Sequence, residues 1–402
     1  MRFYTASFTA LLVMLLSVSA AAQGVTTSSI TGRLTDASTG DALIGATVQA
    51  VHNPSGTTYG NVTDEDGFFR LPGLRVGGPY TITATYVGYD PVIQEGINLN
   101  LGQGFTFNRE LGSTGVNLEG VTVVGNRSDI FDGKRTGQET SISEQQINVL
   151  PTVSRSIADF ARLNPLAKID EGDDGFGIQI AGQNNRFNAI YIDGAVNNDA
   201  FGLSGSGTNG GQTGVSPISL DAVEQFVVST APYDIRQSGF AGGAISAVTR
   251  SGTNNFEGSA YYLFRNDGLT RDNGFTSEEG FTFPNLNEFS AKTYGARLGG
   301  PIIEDKVFFF VNAELQRDET PQVFDLDNYR GDIGTDEIAE LRNFVGSSYD
   351  YDLGSYDNNT QFLNSDKVIA KLDFNLSPSN KLSIRHSYVS AENLEARSSS
   401  AS

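Results

Sequence analysis

Apolar and polar residues alternate with a period of two along much of the N-terminal hundred residues. Apolar positions alternate with threonine over residues 80–86 and with asparagine over residues 97–101. Such alternation predicts strands that bury one face. Turn-forming residues separate the runs, for example at 53–56 and 64–67. Roughly seven short strands of this kind predict a small β-sandwich over residues 25–111.

The same period returns near the C-terminal end, in runs with one apolar and one polar face. Four clear runs and one weaker run cover residues 256–265, 306–316, 367–375, 381–389 and, more weakly, 292–300. Strands of about ten residues with this alternation are typical of membrane-spanning β-barrels. The runs therefore predict five barrel strands.

The connections between these runs alternate in length. Pro301–Asp305 and Ser377–Asn380 are short, whereas the connections before each of them are long. Short periplasmic turns and long outer loops are what an outer-membrane barrel shows. A soluble sandwich with uneven loops is the alternative, but it gives no reason for the lengths to alternate. Because the smallest membrane barrels have about eight strands, we expect an incomplete barrel in a fragment of a longer protein.

Residues 137–253 mix short strands with one helical pattern. Apolar residues at helical spacing predict a helix over Ser154–Leu163, which Asn164-Pro165 ends. The run from Ala189 to Gly194 predicts a strand that enters a tight turn. Ser204–Gly214 is rich in glycine but has no lysine in a phosphate-binding position, so it predicts a mobile loop and no nucleotide site.

The N-terminal residues predict an export signal. The apolar run from Phe8 to Val18 is too short for a membrane helix, which needs about 20 residues. Small residues follow it, so we expect cleavage between Ala22 and Gln23. A buried N-terminal helix is the alternative. No later run is apolar and long enough for a membrane helix, so entry into a membrane would require strands.

Composition narrows the chemistry. Among 402 residues there are no cysteines and two histidines, which excludes disulfides, thiolate metal sites and a cysteine nucleophile. The net charge of −20 argues against nucleic-acid binding, and fits an acidic surface protein or a source in high salt. The acidic segments 64–67 and 173–175 lack the further ligands of a calcium loop and predict turns. Because nothing sets a base beside a nucleophile, we predict no enzyme and no cofactor.

Three stretches of the N-terminal part resemble the carboxypeptidase-regulatory-like domain. They are ITGRLTDASTGDALIGATVQA (30–50), TDEDGFFRLPGL (63–74) and YTITATYVGYDP (80–91). That family has a transthyretin-like sandwich, also described as a carbohydrate-binding-like fold. The resemblance implies an accessory sandwich over residues 23–112, after a signal peptide over 1–22, without catalytic residues.

Four longer stretches resemble the plug and early barrel of Oar-like TonB-dependent receptors. They cover residues 150–165, 181–203, 231–267 and 298–319, with AGQNNRFNAIYIDGAVNNDAFGL as the second. The resemblance implies a mainly β chain, with an α+β plug domain over 137–253 and the start of an outer-membrane barrel over 254–402. The plug motif that it transfers comprises Gly182, Asn184, Asn185, Arg186, Asp193, Gly194, Asn198 and Asp199.

Residues 113–136 are polar and rich in glycine, which predicts a linker. A β-prone strip inside it resembles a TonB box, which a periplasmic energy-transducing protein binds by strand addition. The strip consists of Leu118, Glu119, Val121, Thr122, Val123 and Val124. An ordinary strand that ends the sandwich is the alternative.

The resemblance implies energy-coupled uptake of a ligand through the cell outer membrane. The expected partners are a TonB-type protein in the periplasm, outer-membrane lipid and an unknown ligand, with the sandwich and the plug on the periplasmic side. Aromatic and polar outer loops, at 281–289 and 349–356, suit a glycan, a peptide or a metal chelate equally well. A surface carbohydrate-binding or adhesin-like protein is one alternative, and a participant in protein export is another.

Overall fold

The computed structural model of the protein describes most of the chain in separate ranges. These are residues 26–114, 139–150, 152, 155–172, 175–209, 211–230, 240–269, 289–320, 333–354, 360–377 and 380–394. The described chain divides into two compact units. The first extends to residue 259 and adds residues 297–312 and 368–387, and the second holds residues 260–296, 313–367 and 388–402.

Eight strands build the N-terminal domain as a sandwich of two sheets. They are β1 (Thr27–Asp36), β2 (Thr47–His52), β3 (Thr57–Val62), β4 (Phe68–Arg75), β5 (Gly77–Thr85), β6 (Val92–Leu99), β7 (Gly104–Thr106) and β8 (Arg109–Leu111). One sheet has the order β4-β1-β7, with β8 also paired to β1, and the other has the order β3-β2-β5-β6. The predicted β-sandwich is confirmed.

The facing sides of the two sheets form one apolar core. Tyr80, Ile82 and Ala84 have no exposed surface, and Ile97 and Leu99 on the neighbouring strand are nearly as buried. The threonines between the first three remain partly exposed. The alternation that predicted these strands therefore separates a core face from a solvent face.

A second domain follows, which we call the central domain. Its elements are β9 (Glu139–Ser143), α1 (Glu144–Val149), α2 (Ile157–Ala161), β10 (Ala167–Gly172), β11 (Gly175–Ile180), β12 (Ala189–Ile192), β13 (Ala195–Val196), β14 (Val223–Ser229) and β15 (Ala244–Thr249). A five-stranded sheet has the order β13-β12-β15-β14-β9, with β12 and β15 parallel, and β10 pairs with β11. Both α1 and α2 contribute to its apolar core.

The helix predicted over Ser154–Leu163 is shorter in the structure. α2 begins at Ile157 because the Ser156 hydroxyl accepts a hydrogen bond from the Ala158 N–H (3.2 Å), which is the geometry of a helix N-cap. It ends before Asn164, whose side chain accepts from the Leu166 N–H (2.9 Å). Local side-chain hydrogen bonds thus replace helical ones at both ends.

Five consecutive strands form the last sheet, which we call the meander. They are β16 (Glu257–Asn266), β17 (Ser290–Ile303), β18 (Val307–Thr320), β19 (Gln361–Ser377) and β20 (Asn380–Leu394), each paired with the next. Four of them are longer than the predicted runs. The alternation of apolar and polar residues does not continue into their ends, so the sequence pattern did not include those ends. The predicted barrel strands are confirmed, and the described strands do not close into a barrel.

One helix of the second unit was not predicted. α3 (Thr335–Tyr349) lies in the long connection between β18 and β19, and none of its residues is buried. Ile338, Leu341 and Val345 do stand at helical spacing, but the segment was assigned to a long outer loop and the helix was not predicted. Within the described ranges, every helix is too short or too polar to cross a membrane.

Candidate functional site

The first half of the plug motif holds two loops of the central domain together. Asn184 caps a short 3₁₀ turn through the Arg186 N–H (3.1 Å). The Arg186 guanidinium donates to the Gly202 carbonyl (2.8 Å), and the Asn185 amide donates to the Gly205 carbonyl. Gly182 has φ +75°, a conformation that favours glycine. These residues therefore shape the two loops.

Asp193 and Gly194 form the predicted tight turn between β12 and β13. Both have positive φ, 47° and 76°, as a two-residue type I′ turn requires. The Asp193 carboxylate accepts hydrogen bonds from the Thr249 N–H (2.7 Å) and the Thr249 hydroxyl (2.5 Å). It also lies 3.4 Å from Nε of Arg385 on the meander. This residue of the motif thus connects the central domain to the meander.

The end of the motif closes the next loop. Asn198 accepts from the Ile190 N–H (2.7 Å) and donates to the Asn188 carbonyl (3.0 Å). Asp199 accepts from the Ser204 N–H (2.6 Å) and the Phe201 N–H (3.0 Å). These backbone donors hold the pKa of Asp199 below its usual value.

The glycine-rich segment after Asp199 is more closed than the predicted mobile loop. The hydroxyls of Ser204, Ser206 and Thr208 form a buried row with spacings of 2.7 Å. Gly211 packs on this row, where a Cβ atom would approach within 2.6 Å of all three hydroxyls. Because Ser204, Ser206 and Thr208 are small and polar, the alternation of apolar and polar residues along the chain did not predict that they are buried.

Further polar contacts within the first unit join the central domain to the meander residues of that unit, 257–259, 297–312 and 368–387, which we call the base of the meander. The Lys371 ammonium donates to the carbonyl (3.1 Å) and hydroxyl (3.2 Å) of Thr249. Ser259 donates to the Asp221 carboxylate (3.1 Å) and accepts from Nε of Arg297 (2.9 Å). Phe310 and Ile369 of the meander also belong to the apolar core of the central domain. The two regions are therefore packed as one body at this end.

A charged cavity of about 130 Å³ lies within the first unit, between the sandwich, the central domain and the base of the meander. Three arginines and three glutamates line it: Arg75, Arg250, Arg297, Glu144, Glu224 and Glu257. A polar cavity of this size accommodates water, which would supply partners for these groups. The sequence gave no indication of this cavity, because its residues come from three separate regions.

The charges around the cavity are incompletely paired. Arg250 is buried (6 % exposed) and forms an ion pair with Glu144 through Nη1. Its Nε and Nη2 atoms have no hydrogen-bond partner among the described residues. Burial raises the pKa of Glu224, and the nearby charge of Arg75 opposes that rise. Buried charges of this kind contribute little net stability to the contact they line.

His52 also lines the cavity and is only 3 % exposed. Its Nδ1 atom lies 2.7 Å from the Ser55 hydroxyl, which in turn lies 2.7 Å from the Thr57 hydroxyl. Burial, together with the nearby charge of Arg75, lowers the pKa of His52 to about 3. The imidazole is therefore neutral at physiological pH.

The second unit contains a separate buried charge pair. The Lys367 ammonium donates to the Glu314 carboxylate (2.9 Å), and both side chains are about 5 % exposed. The Tyr261 hydroxyl donates to the same carboxylate. Its ring crosses Gly295, where a Cβ atom would lie 2.1 Å from the ring. The sequence assigned Glu314 and Lys367 to the polar face of the meander but did not indicate that they meet.

Several predicted residues lie outside the described ranges. They include the strip Leu118–Val124, the cleavage position Ala22–Gln23 and the acidic pair Asp173 and Asp174. The other acidic segment is a turn, as predicted: the Asp64 carboxylate accepts from the Asp66 (3.1 Å) and Phe68 (2.8 Å) N–H groups. No cluster of three or more metal-ligating side chains occurs among the residues that the structure describes.

Two family models match the chain. The carboxypeptidase regulatory-like domain matches residues 29–112, and an outer membrane β-barrel domain matches residues 248–326. The chain is therefore a cell outer-membrane protein that joins an accessory sandwich to barrel strands. It is similar to the TonB-dependent transporter Oar of Myxococcus xanthus, with 30 % identity over 264 residues. This match covers 62 % of the chain but only 23 % of the relative, so the chain spans about a quarter of that protein's length.

Among solved structures, the siderophore receptor PirA of Acinetobacter baumannii is 17 % identical, with a TM-score of 0.42 over 64 % of this chain and 32 % of that chain. The outer membrane transporter YddB of Escherichia coli is 14 % identical, with a TM-score of 0.44 over 64 % of this chain and 33 % of that chain. The relatives named here are described as transporters or as receptors.

Proposed function

We propose that the chain belongs to a TonB-dependent transporter that takes up a ligand across the outer membrane. In this proposal the central domain is the plug and the meander is part of the surrounding barrel. The observation that carries it is the similarity to a TonB-dependent transporter over 264 residues. The polar inner face of the meander supports it, because barrels that enclose a plug or a channel have polar interiors.

The contacts between plug and meander suit a plug that stays closed until force is applied. Arg385 reaches Asp193 through one ion pair, and Lys371 reaches Thr249 through two hydrogen bonds. Only a few apolar side chains, such as Phe310, cross from the meander into the plug core. Polar contacts of this kind position two surfaces accurately but exchange readily for water when the surfaces separate.

The order of strands suggests how a pull would act on the plug. The strip Leu118–Val124 precedes β9 in the chain, and among the described strands β9 lies at one edge of the plug sheet and pairs with β14 alone. A pull on the strip loads the Glu139 end of β9 first, so the antiparallel hydrogen bonds would open one after another. Opening bonds in sequence requires less force than breaking them together. A TonB-type partner bound to the strip would therefore act on an edge strand of the sheet.

The test compares cells with and without the TonB-type partner, each supplied with labelled oligosaccharides, peptides and ferric chelates. We expect uptake of one of these classes to require the partner, while binding at the cell surface does not. The variant Val123→Pro should abolish uptake, because proline cannot donate to an added strand, whereas Val123→Ala should not. Undiminished uptake or activity in the absence of the partner would contradict the proposal and favour an adhesin or an export role.

A further inference from the structure

The sandwich contacts one face of the plug sheet through a small apolar patch. Val76 and Leu101 of the sandwich form a buried cluster with Val227 and Val248 of the plug sheet. All four are less than 8 % exposed. A cluster of four aliphatic side chains is small for a permanent contact between domains. The patch therefore aligns the two domains without fixing them together.

One plug side chain bonds directly to the sandwich backbone. Gln225 on β14 accepts from the Leu101 N–H (2.7 Å) and donates to the Asn100 side chain (3.0 Å). Its amide also donates to the hydroxyl of Ser141 on β9 (2.8 Å). Gln225 is 3 % exposed, and its bonds to Leu101 and Asn100 exist only while the domains are in contact, whereas the bond to Ser141 lies within the plug. The contact thus includes the strand pair on which a pull would act.

A second set of contacts joins one sandwich loop to the base of the meander. The Asn254 N–H donates to the Pro54 carbonyl (2.8 Å), and the Asn375 amide donates to the Thr57 hydroxyl (2.9 Å). Gly56 faces Asp305, whose carboxylate leaves no room for a side chain at Gly56. Asn254 and Asn375 both hydrogen-bond to Asp305 as well. The start of β16, the β17–β18 turn and the end of β19 therefore meet the sandwich at one end of the meander.

The charged cavity lies at the centre of this contact. His52 and Arg75 line it from the sandwich, and Glu144, Glu224 and Arg250 line it from the plug. Across the contact, Arg75 donates to the Gly252 carbonyl (3.2 Å) and its charge acts favourably on Glu224, but two nitrogens of Arg250 have no hydrogen-bond partner among the described residues. A contact with a small apolar patch and a polar, charged centre separates at a lower cost than an apolar core.

We infer that the sandwich is a cover for the periplasmic side of the plug, and that it must separate before the plug can be displaced. It bridges the plug sheet and three points on the base of the meander, so a plug moving out at this end would meet it. The strip lies in the chain between the cover and β9, so one pull would load both. The docking of the cover is independent of the proposed function, whereas its release rests on that function.

The test locks the cover with a disulfide and follows exposure of the plug core. The chain contains no cysteine, so every thiol can be introduced by design. Thr57→Cys with Asn375→Cys forms the lock, and Thr47→Cys with Thr85→Cys forms a control disulfide between paired, exposed positions inside the sandwich. Both carry Ala247→Cys as a reporter, because this position is 4 % exposed in the middle of the plug sheet. The probe is a small maleimide added to energised cells that produce the full-length protein.

We expect the control chain to react with the maleimide only in cells that contain the TonB-type partner, and the locked chain to remain unlabelled in both. Failure of the Thr57→Cys and Asn375→Cys pair to join, both by oxidation and through a short bis-maleimide cross-linker that tolerates a wider spacing, would overturn the docking. Equal labelling of the locked and control chains would overturn the need for release. Labelling of the control chain that does not depend on the partner would instead count against the proposed function itself.

A second measurement requires no cysteine. Hydrogen exchange in outer-membrane vesicles should be slow at the Leu101 amide, which donates to Gln225. Gln225→Ala should raise exchange at residues 100–103 and 54–57, while exchange in the paired strands β2 and β5 stays unchanged. Exchange at these segments that does not respond to Gln225→Ala would overturn the docked arrangement.

Discussion

Strands of the sandwich and of the meander both alternate apolar and polar residues, but the sandwich strand β5 buries its apolar face and the meander strand β18 buries its polar face. In β5 the apolar Ile82 is buried between partly exposed threonines. In β18 the polar Asn312 and Glu314 are 1 % and 5 % exposed, whereas the apolar Val311 and Leu315 are 41 % and 42 % exposed. A soluble sheet hides its apolar face in a core, while a barrel strand turns that face to lipid. Alternation alone therefore predicts a strand but not which of its faces is buried.

The largest expected effect concerns the buried charge pair of the meander. Lys367→Met leaves the Glu314 carboxylate buried without its cation, which costs about 3 to 5 kcal/mol. The double variant Lys367→Met with Glu314→Leu removes both charges and should recover most of this loss. Urea unfolding of the full-length protein in lipid vesicles measures both. Equal destabilisation by the single and double variants would show that the two side chains contribute only through packing. It would contradict the interpretation that Lys367 stabilises the buried Glu314 carboxylate.

The matching change in the sandwich removes an apolar side chain. Ile82→Ala creates a cavity between the two sheets and should destabilise the sandwich by about 2 to 5 kcal/mol. Thr85→Ala on the exposed end of the same strand should change stability by less than about 0.5 kcal/mol. Thermal unfolding followed by circular dichroism separates the two. A small effect of Ile82→Ala would mean that the facing sheets do not form one core.

The next effect depends on pH and concerns the sandwich side of the charged cavity. Burial lowers the pKa of His52 to about 3, whereas an exposed histidine titrates near about 6.5. Between these values the unfolded chain binds a proton that the folded chain does not. The free energy of unfolding should therefore fall by about 1.4 kcal/mol per pH unit below about pH 6.5.

His52→Gln keeps a polar side chain and removes the titration, so it should flatten this part of the pH profile. The expected difference appears in chemical unfolding between pH 4 and pH 8, with the two proteins converging near the upper end. Parallel profiles for the two proteins would contradict a neutral, buried imidazole.

The two regions also differ in how much of their structure the sequence could predict. The sandwich strands around Tyr80 and Ile97 and the meander strands were predictable, because burial of one face imposes a regular pattern on neighbouring residues. The plug motif was predictable only through the resemblance. In the structure most of its residues hydrogen-bond within loops, and Asp193 also forms an ion pair with Arg385 of the meander. The cavity could not be predicted, because His52 and Arg250 are distant in sequence and meet only through docking of separate domains.

The smallest expected effect concerns an exposed ion pair of the meander, which can be compared with the buried pair of Lys367 and Glu314. Arg317 and Asp366 form an ion pair at 2.6 Å, but each side chain is 43 % exposed. Water and salt screen such a pair, so Asp366→Asn should cost at most about 1 kcal/mol. The Lys367 pair lies on a neighbouring residue of the same strand but is buried, so its larger cost would arise from burial and not from the presence of opposite charges. Unfolding of Asp366→Asn and of Lys367→Met, each in low and high salt, tests this: salt should reduce the loss only for the exposed pair, and equal losses for the two pairs would remove burial as the cause.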